Sequence, residues 1–324
     1  MYASERHGGQ KISTEHDFFA EPILNSPYEE PALHHRLNEA GQPTNTAPVH
    51  GRRKSSLYSP VPKPKRGKSS DQQMSLIEDQ VGLLDPHNII NEIREHVKSW
   101  RTLPNPTDWG VTPTTQRLLA FWRDPANFPS IRPFFCQLEA VETVIWLSEV
   151  ARRTPRYSNI WSHIEQANEA ANPELLRLAL KMATGAGKTT VMAMLIAWQT
   201  LNAVRSQGSK QFTRGFLIIA PGITIKDRLR VLQPGGTDNY YETRGLVPSD
   251  MLHDLQKAKV VITNYHTFQR RETTSLSKGT RGALEGWRGE DVRTKESEGE
   301  MLRRALGDLM GMKNILVIND EAHH

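Results

Sequence analysis

Met182-Ala-Thr-Gly-Ala-Gly-Lys-Thr-Thr190 decides the fold class of this chain. An apolar run, 176–182, leads into it, and an apolar helical run, 191–198, leaves it. A strand, a glycine-bearing turn and a helix, in that order, form the context of a phosphate-binding loop. Gly185 and Gly187 let the backbone bend until its N–H groups converge on phosphate oxygens. The N-terminus of the following helix adds the positive end of its dipole. Lys188 supplies a point charge for the β- and γ-phosphates, and Thr189 a hydroxyl for Mg²⁺. Thr184, Ala186 and Thr190 belong to the same cradle. The usual pattern carries a glycine five residues before Gly187. Met182 stands there, which gives the loop the tighter ATGAGKT form.

A second signal is Asn314-Ile-Leu-Val-Ile-Asn-Asp-Glu-Ala-His-His324. An apolar strand delivers Asp320 and Glu321 at its C-terminal end, the edge where open α/β sheets bind ligands. Asp320 is suited to hold Mg²⁺ through water, since Mg²⁺ keeps part of its hydration shell. Glu321 is placed to polarise an attacking water. By itself an acidic strand end is an ordinary solvated turn; downstream of a phosphate loop it acquires a role.

Between and around these signals, short apolar runs at 176–182, 216–220, 260–264 and 315–319 alternate with helical stretches. That rhythm predicts βαβ units and a parallel sheet with flanking helices. Residues 269–312 are polar, glycine-rich and mixed in charge, as in a surface insertion with a helix near its end. Residues 76–131 are expected to be helical, with one helix over 77–84, a second starting at Pro86 with Asp85 as its cap, and a third over 114–123.

Residues 1–75 differ from the rest. Prolines 22, 27, 31, 43, 48, 60, 62 and 64 punctuate them, and their apolar residues follow no helical or strand period. Such a segment buries too little surface to offset its chain entropy, so it is expected to be extended or disordered. Within it, residues 51–70 hold seven basic side chains and no acid. They fit either a solvated linker or an arm that touches phosphates. The whole chain carries a net charge of +5, which permits a nucleic-acid partner without requiring one. The single cysteine, Cys136, excludes an internal disulfide and a cysteine metal cluster. No apolar leader opens the chain and no run is long enough to span a bilayer, so a cytoplasmic location without a membrane partner is expected.

ATGAGKT and Asp-Glu-Ala-His together resemble motifs I and II of superfamily 2 helicases and translocases. The wording around them resembles the restriction (Res) subunit of type III restriction enzymes most closely. Arg132-Pro-Phe-Phe-Cys-Gln-Leu-Glu-Ala140 resembles the upstream glutamine motif, and Phe216-Leu-Ile-Ile-Ala-Pro-Gly-Ile-Thr-Ile-Lys-Asp-Arg-Leu229 resembles motif Ia. Val260-Val-Ile-Thr-Asn-Tyr-His-Thr-Phe268 resembles the next strand and loop. The resemblance covers residues 132 to 324.

It implies a RecA-like P-loop NTPase domain, incomplete in these residues, using ATP and Mg²⁺. Lys188, Asp320 and Glu321 would be catalytic, and Gln137 would read adenine. Pro221, Gly222, Thr224, Arg228 and Thr263 would approach the nucleic-acid backbone, although Arg228 equally suits an ordinary exposed helix cation. His323 would couple the acidic box to a second motor domain, while His266 reads as a packed or solvated histidine. The implied partners are duplex DNA and a methyltransferase or specificity subunit.

Arginine fingers of a second RecA-like domain and a C-terminal nuclease also belong to the resembled family. Neither is present in the 324 residues, so the chain is expected to be a piece of a longer protein with little activity alone. Two alternatives stand beside the restriction motor: an RNA or DNA-repair helicase, and a nucleotide-binding interaction module without turnover.

Overall fold

A computed structural model describes residues 23–38, 40–55, 86–171, 173–206, 208–270, 272–273 and 294–320. Among them the helices in chain order are α1 (Pro86–Arg101), α2 (Pro113–Arg123), α3 (Phe135–Ile145), α4 (Ser158–Ala171) and α5 (Lys188–Arg205). They continue with α6 (Ile223–Arg228), α7 (Tyr240–Thr243), α8 (Leu252–Leu255) and α9 (Glu298–Leu306). The strands are β1 (Leu33–His34), β2 (Val49–His50), β3 (Gly215–Ala220), β4 (Lys259–Asn264), β5 (Glu272–Thr273), β6 (Thr294–Lys295) and β7 (Leu316–Asn319). No described helix is long and apolar enough to cross a membrane.

The chain divides into two compact units. The first takes residues up to Thr102, Phe134–Cys136 and Ala151–Leu176. Within the expected extended arm, residues 23–38 and 40–55 carry short local structure. β1 and β2 pair antiparallel, Leu33 opposite His50. Asn25 Oδ1 accepts from the Ala32 and Leu33 amides at 2.8 and 2.9 Å, and Asn38 Oδ1 from the Ala40 and Gln42 amides at 3.0 and 2.9 Å. Asparagine side chains thus close these loops without any apolar periodicity. Asn91 on α1 brackets Ser55, accepting from its amide and donating to its carbonyl. Arg52, Arg53 and Lys54 line a cleft with Glu30, Glu92 and Glu95, so part of the basic stretch faces carboxylates. Residues 56–70 of that stretch lie outside the described residues, as do the expected helix 77–84 and its neighbour Asp85.

The second unit takes Leu103–Pro133, Gln137–Val150 and the residues from Arg177 onward. Runs of β-branched residues and leucine form its parallel sheet, in the order β4-β3-β7. Ile218 sits opposite Ile262 on one side and Ile318 on the other. β3 is central and buried. The sheet is therefore the expected parallel one, with one difference. Residues 176–182, read from sequence as the strand entering the phosphate loop, join no ladder. Leu176, Leu178 and Leu180 are exposed there. Alternating leucines mark a surface suited to burial, but a strand also needs a neighbour to receive its backbone hydrogen bonds.

α5 is the buried spine of this unit; Val191, Met194, Ile196, Ala197, Trp198 and Leu201 are all inside. α2 packs on it, opened by Pro113 and capped by Thr112, whose hydroxyl accepts from the Thr115 amide. A single π-turn, Trp146–Val150, places the fully buried Glu149 between them. Glu149 accepts from Thr115 Oγ1 at 2.6 Å, from Trp198 Nε1 at 2.8 Å and from the Thr112 amide at 2.8 Å. On the surface, Arg117 holds the Asp250 carboxyl below the usual carboxylate range by hydrogen bonds of 2.6 and 2.7 Å.

The expected insertion 269–312 does carry a helix near its end, α9. Ser297 and Glu300 begin it with a reciprocal capping box. Residues 274–293 lie outside the described residues.

Candidate active site

The segment 182–190 turns as its glycines suggested. Gly185 and Gly187 both take φ of 79°, the left-handed region that side chains disfavour. The Ala186 amide donates back to the Ala183 carbonyl at 3.2 Å, closing the turn, and α5 begins at Lys188. Thr184 and Gly185 are exposed, Lys188 and Thr189 half-buried, and Thr190 buried. The rim of the loop therefore faces solvent while its base is packed.

Two long-range contacts fix that base. Gln137, on α3, is only 4% exposed, and its Nε2 donates to the Ala186 carbonyl at 2.9 Å. A Cβ at position 187 would collide with the same Nε2 and push the Gln137 amide away, so glycine there, favoured by its φ, also leaves room for this contact. On the other flank, Arg244 Nη1 donates to Thr190 Oγ1 at 2.9 Å. The Arg244 guanidinium lies 3.8 Å from the Tyr240 ring centroid, a cation–π contact. Arg244 was not a sequence candidate. It follows the short helix α7, 54 residues after Thr190, and no motif spacing announces it.

The C-terminal edge of the sheet gathers the remaining candidates. The Asp320 amide donates to the Ile219 carbonyl at 3.1 Å, carrying the β3–β7 ladder one residue beyond β7. Asp320 is thereby held half-buried at that edge. Glu321 and His323 lie outside the described residues. Pro221 and Gly222 leave β3 at the same edge, and Thr224 and Arg228 are exposed on α6. Thr263 differs from expectation. It is 4% exposed, inside β4, and the surface at that strand end belongs to Tyr265 and His266 instead. His266 takes the solvated of its two expected readings: its ring centroid is 3.9 Å from that of Tyr265, and both side chains are exposed.

The donor set fits a nucleoside triphosphate with Mg²⁺. Two left-handed glycines leave the loop backbone open, and a Cβ at Gly185 would meet only empty space. Lys188 and Thr189 open a long buried helix directly behind it. Among the described residues no three or more His, Cys, Asp or Glu side chains converge to hold a metal. Mg²⁺ takes few protein ligands and completes its octahedron with phosphate oxygens and water, so the expected pair Thr189 and Asp320 would be enough to hold it.

Residues 131–324 match the family model described as type III restriction enzyme, res subunit. No curated protein matches the chain, and no solved structure does. The family match covers more than half of the chain, the phosphate loop and the acidic box included, and its nucleotide-binding part is a RecA-like P-loop domain. The chain belongs to the family of type III restriction enzyme res subunits.

Proposed function

We propose that the chain is the ATP-binding part of a DNA-translocating motor in a type III-like restriction endonuclease. One observation carries the reading. Gln137 and the phosphate loop, 49 residues apart in sequence, meet through the Gln137–Ala186 hydrogen bond. A glutamine that touches the loop from the side links the base end of a nucleotide to its phosphate end. Gln137 reads adenine in this scheme, and the bond to Ala186 passes its position to the loop.

Lys188 and the loop amides of Thr184 to Thr190 hold the phosphates. Thr189 and Asp320 hold Mg²⁺, and Glu321 orients the attacking water. Bound Mg·ATP supplies the phosphoryl group whose developing charge Lys188 offsets. Pro221, Gly222, Thr224 and Arg228 follow the nucleic-acid backbone at the edge beside Asp320. Strand movement and the state of the phosphates are then read at adjacent strand ends. DNA, and a methyltransferase subunit that selects its sequence, are the partners of this scheme.

Calorimetry with Mg·ATP tests it. Wild type binds, and Lys188→Ala loses binding because the phosphates lose their main fixed counterion. Equal affinity in the two proteins overturns the assignment.

A further inference from the structure

The turn after β4 is held by side chains on two sides and exposes an aromatic ring. Asn264 Oδ1 accepts from the Thr267 amide at 3.1 Å and from its hydroxyl at 2.9 Å, closing the turn Tyr265–Phe268 from below. Arg304 on α9 closes it from outside. Its Nη1 donates to the Thr267 carbonyl at 2.9 Å and its Nη2 to the Gln269 carbonyl at 3.0 Å. Glu296 fixes that arginine through a 2.6 Å ion pair. The pinned turn presents Tyr265, 55% exposed, with the His266 ring against it, centroids 3.9 Å apart and planes inclined by 34°.

An exposed tyrosine is usually free to turn among rotamers. Here its backbone is fixed and a second ring backs it, so the entropy lost on receiving a flat ligand is already partly removed. Cations stand on the neighbouring helix. α6 packs beside β4 and carries Lys226 and Arg228 in its last turn. Arg230 follows, paired with Asp227 at 3.0 Å. Stacked rings beside cations at one strand edge are the two parts of a single-strand binding surface: a π-face for bases and charge for the backbone. A base inside a duplex is already stacked on both faces and has none to offer.

We infer that Tyr265, backed by His266, is a stacking platform for an unpaired nucleobase, with Lys226 and Arg228 taking the adjoining phosphates. The inference rests on the motor reading above and refines it. The strand that meets this edge is locally unpaired, not an intact duplex followed by its backbone alone.

Fluorescence anisotropy on the full chain tests it, with a labelled single-stranded dT oligonucleotide and the corresponding duplex. Wild type binds the single strand more tightly. Tyr265→Ala weakens that binding on the order of 10- to 100-fold and leaves the duplex unchanged, while Tyr265→Trp retains it. The salt slope is unaltered by Tyr265→Ala and falls by about 0.7 per cation in Lys226→Ala or Arg228→Ala. The exposed position of Tyr265 leaves thermal unfolding unchanged. Salt-dependent binding that is equal in wild type and Tyr265→Ala overturns the platform and leaves the motor reading intact. Absence of any oligonucleotide binding by wild type overturns both.

Discussion

At the scale of single residues, the phosphate loop rests on two side chains that come from far away in sequence. Gln137 and Arg244 grip its carbonyl side and its first helical turn, respectively. The loop motif was legible in sequence because its chemistry is local: glycines, lysine and threonine in consecutive places. Arg244 was not, because its role arises only when the turn after α7 is folded against α5. Its guanidinium is held by the Tyr240 ring and adds a fixed positive charge beside the phosphate loop. Arg244→Ala is expected to weaken ATP and ADP binding alike, by about 1–2 kcal/mol, on the order of 10-fold in Kd. The two nucleotides suffer equally because Arg244 acts on Thr190 and the loop base. Arg244→Lys keeps the charge but loses the planar stack, so it recovers only part of the affinity. Calorimetry with both nucleotides checks this; a loss confined to ATP would move Arg244 to the γ-phosphate.

At the scale of elements, α5 is positioned by a buried polar cluster as much as by its apolar faces. Glu149 receives three donors, from two positions on α2's cap and first turn and from Trp198 on α5. Asn202, also buried, donates to Thr115 Oγ1 at 2.9 Å and extends the cluster along α5. A half-satisfied network of this kind is worse than an apolar core, so its completeness matters. Glu149→Ala orphans all three donors and is expected to destabilise the chain by about 3 kcal/mol or more. Glu149→Gln keeps the volume. It sets an amide N–H₂ group against either the Thr112 amide or the Trp198–Thr115 pair of donors, so it also destabilises, by about 1–3 kcal/mol. Urea unfolding measures both, and losses below about 1 kcal/mol would show that water or rearrangement replaces the acceptor. The cluster was invisible in sequence: Thr112 lies just before the expected helix 114–123, Trp198 belongs to the apolar run 191–198, and Glu149 carries no signal of its own. The strands β3, β4 and β7 were legible because valine and isoleucine runs bounded by polar residues admit few other structures. Residues 176–182 carried the same kind of signal and form no ladder. An apolar period states what should be buried; the neighbour that buries it has to come from elsewhere in the fold.

At the scale of the whole molecule, that misread segment has a physical consequence. Among the described residues β7 pairs on one side only, with β3, and Val317 within it is 45% exposed. Leu175, Leu176, Leu178 and Leu180 are 52, 49, 39 and 36% exposed. Among the described residues the entry to the phosphate loop is therefore not anchored in the sheet, and Gln137 and Arg244 help to fix the loop's position. Apolar side chains and an unpaired strand edge on one chain are a template for association. The chain is expected to bind a hydrophobic dye such as ANS under native conditions and to self-associate as its concentration rises. Replacing Leu176, Leu178 and Leu180 together by serine removes most of the exposed aliphatic surface of that segment. None of the three is in the buried core, so thermal unfolding of the triple variant should match wild type while dye fluorescence and the larger species in sedimentation velocity both decline. Nucleotide affinity should persist in that variant, since the two side chains that hold the loop are untouched. A wild-type chain that is monomeric at high concentration and silent to the dye would mean the leucines are covered in solution, and the loop would then have a third anchor on its entry side.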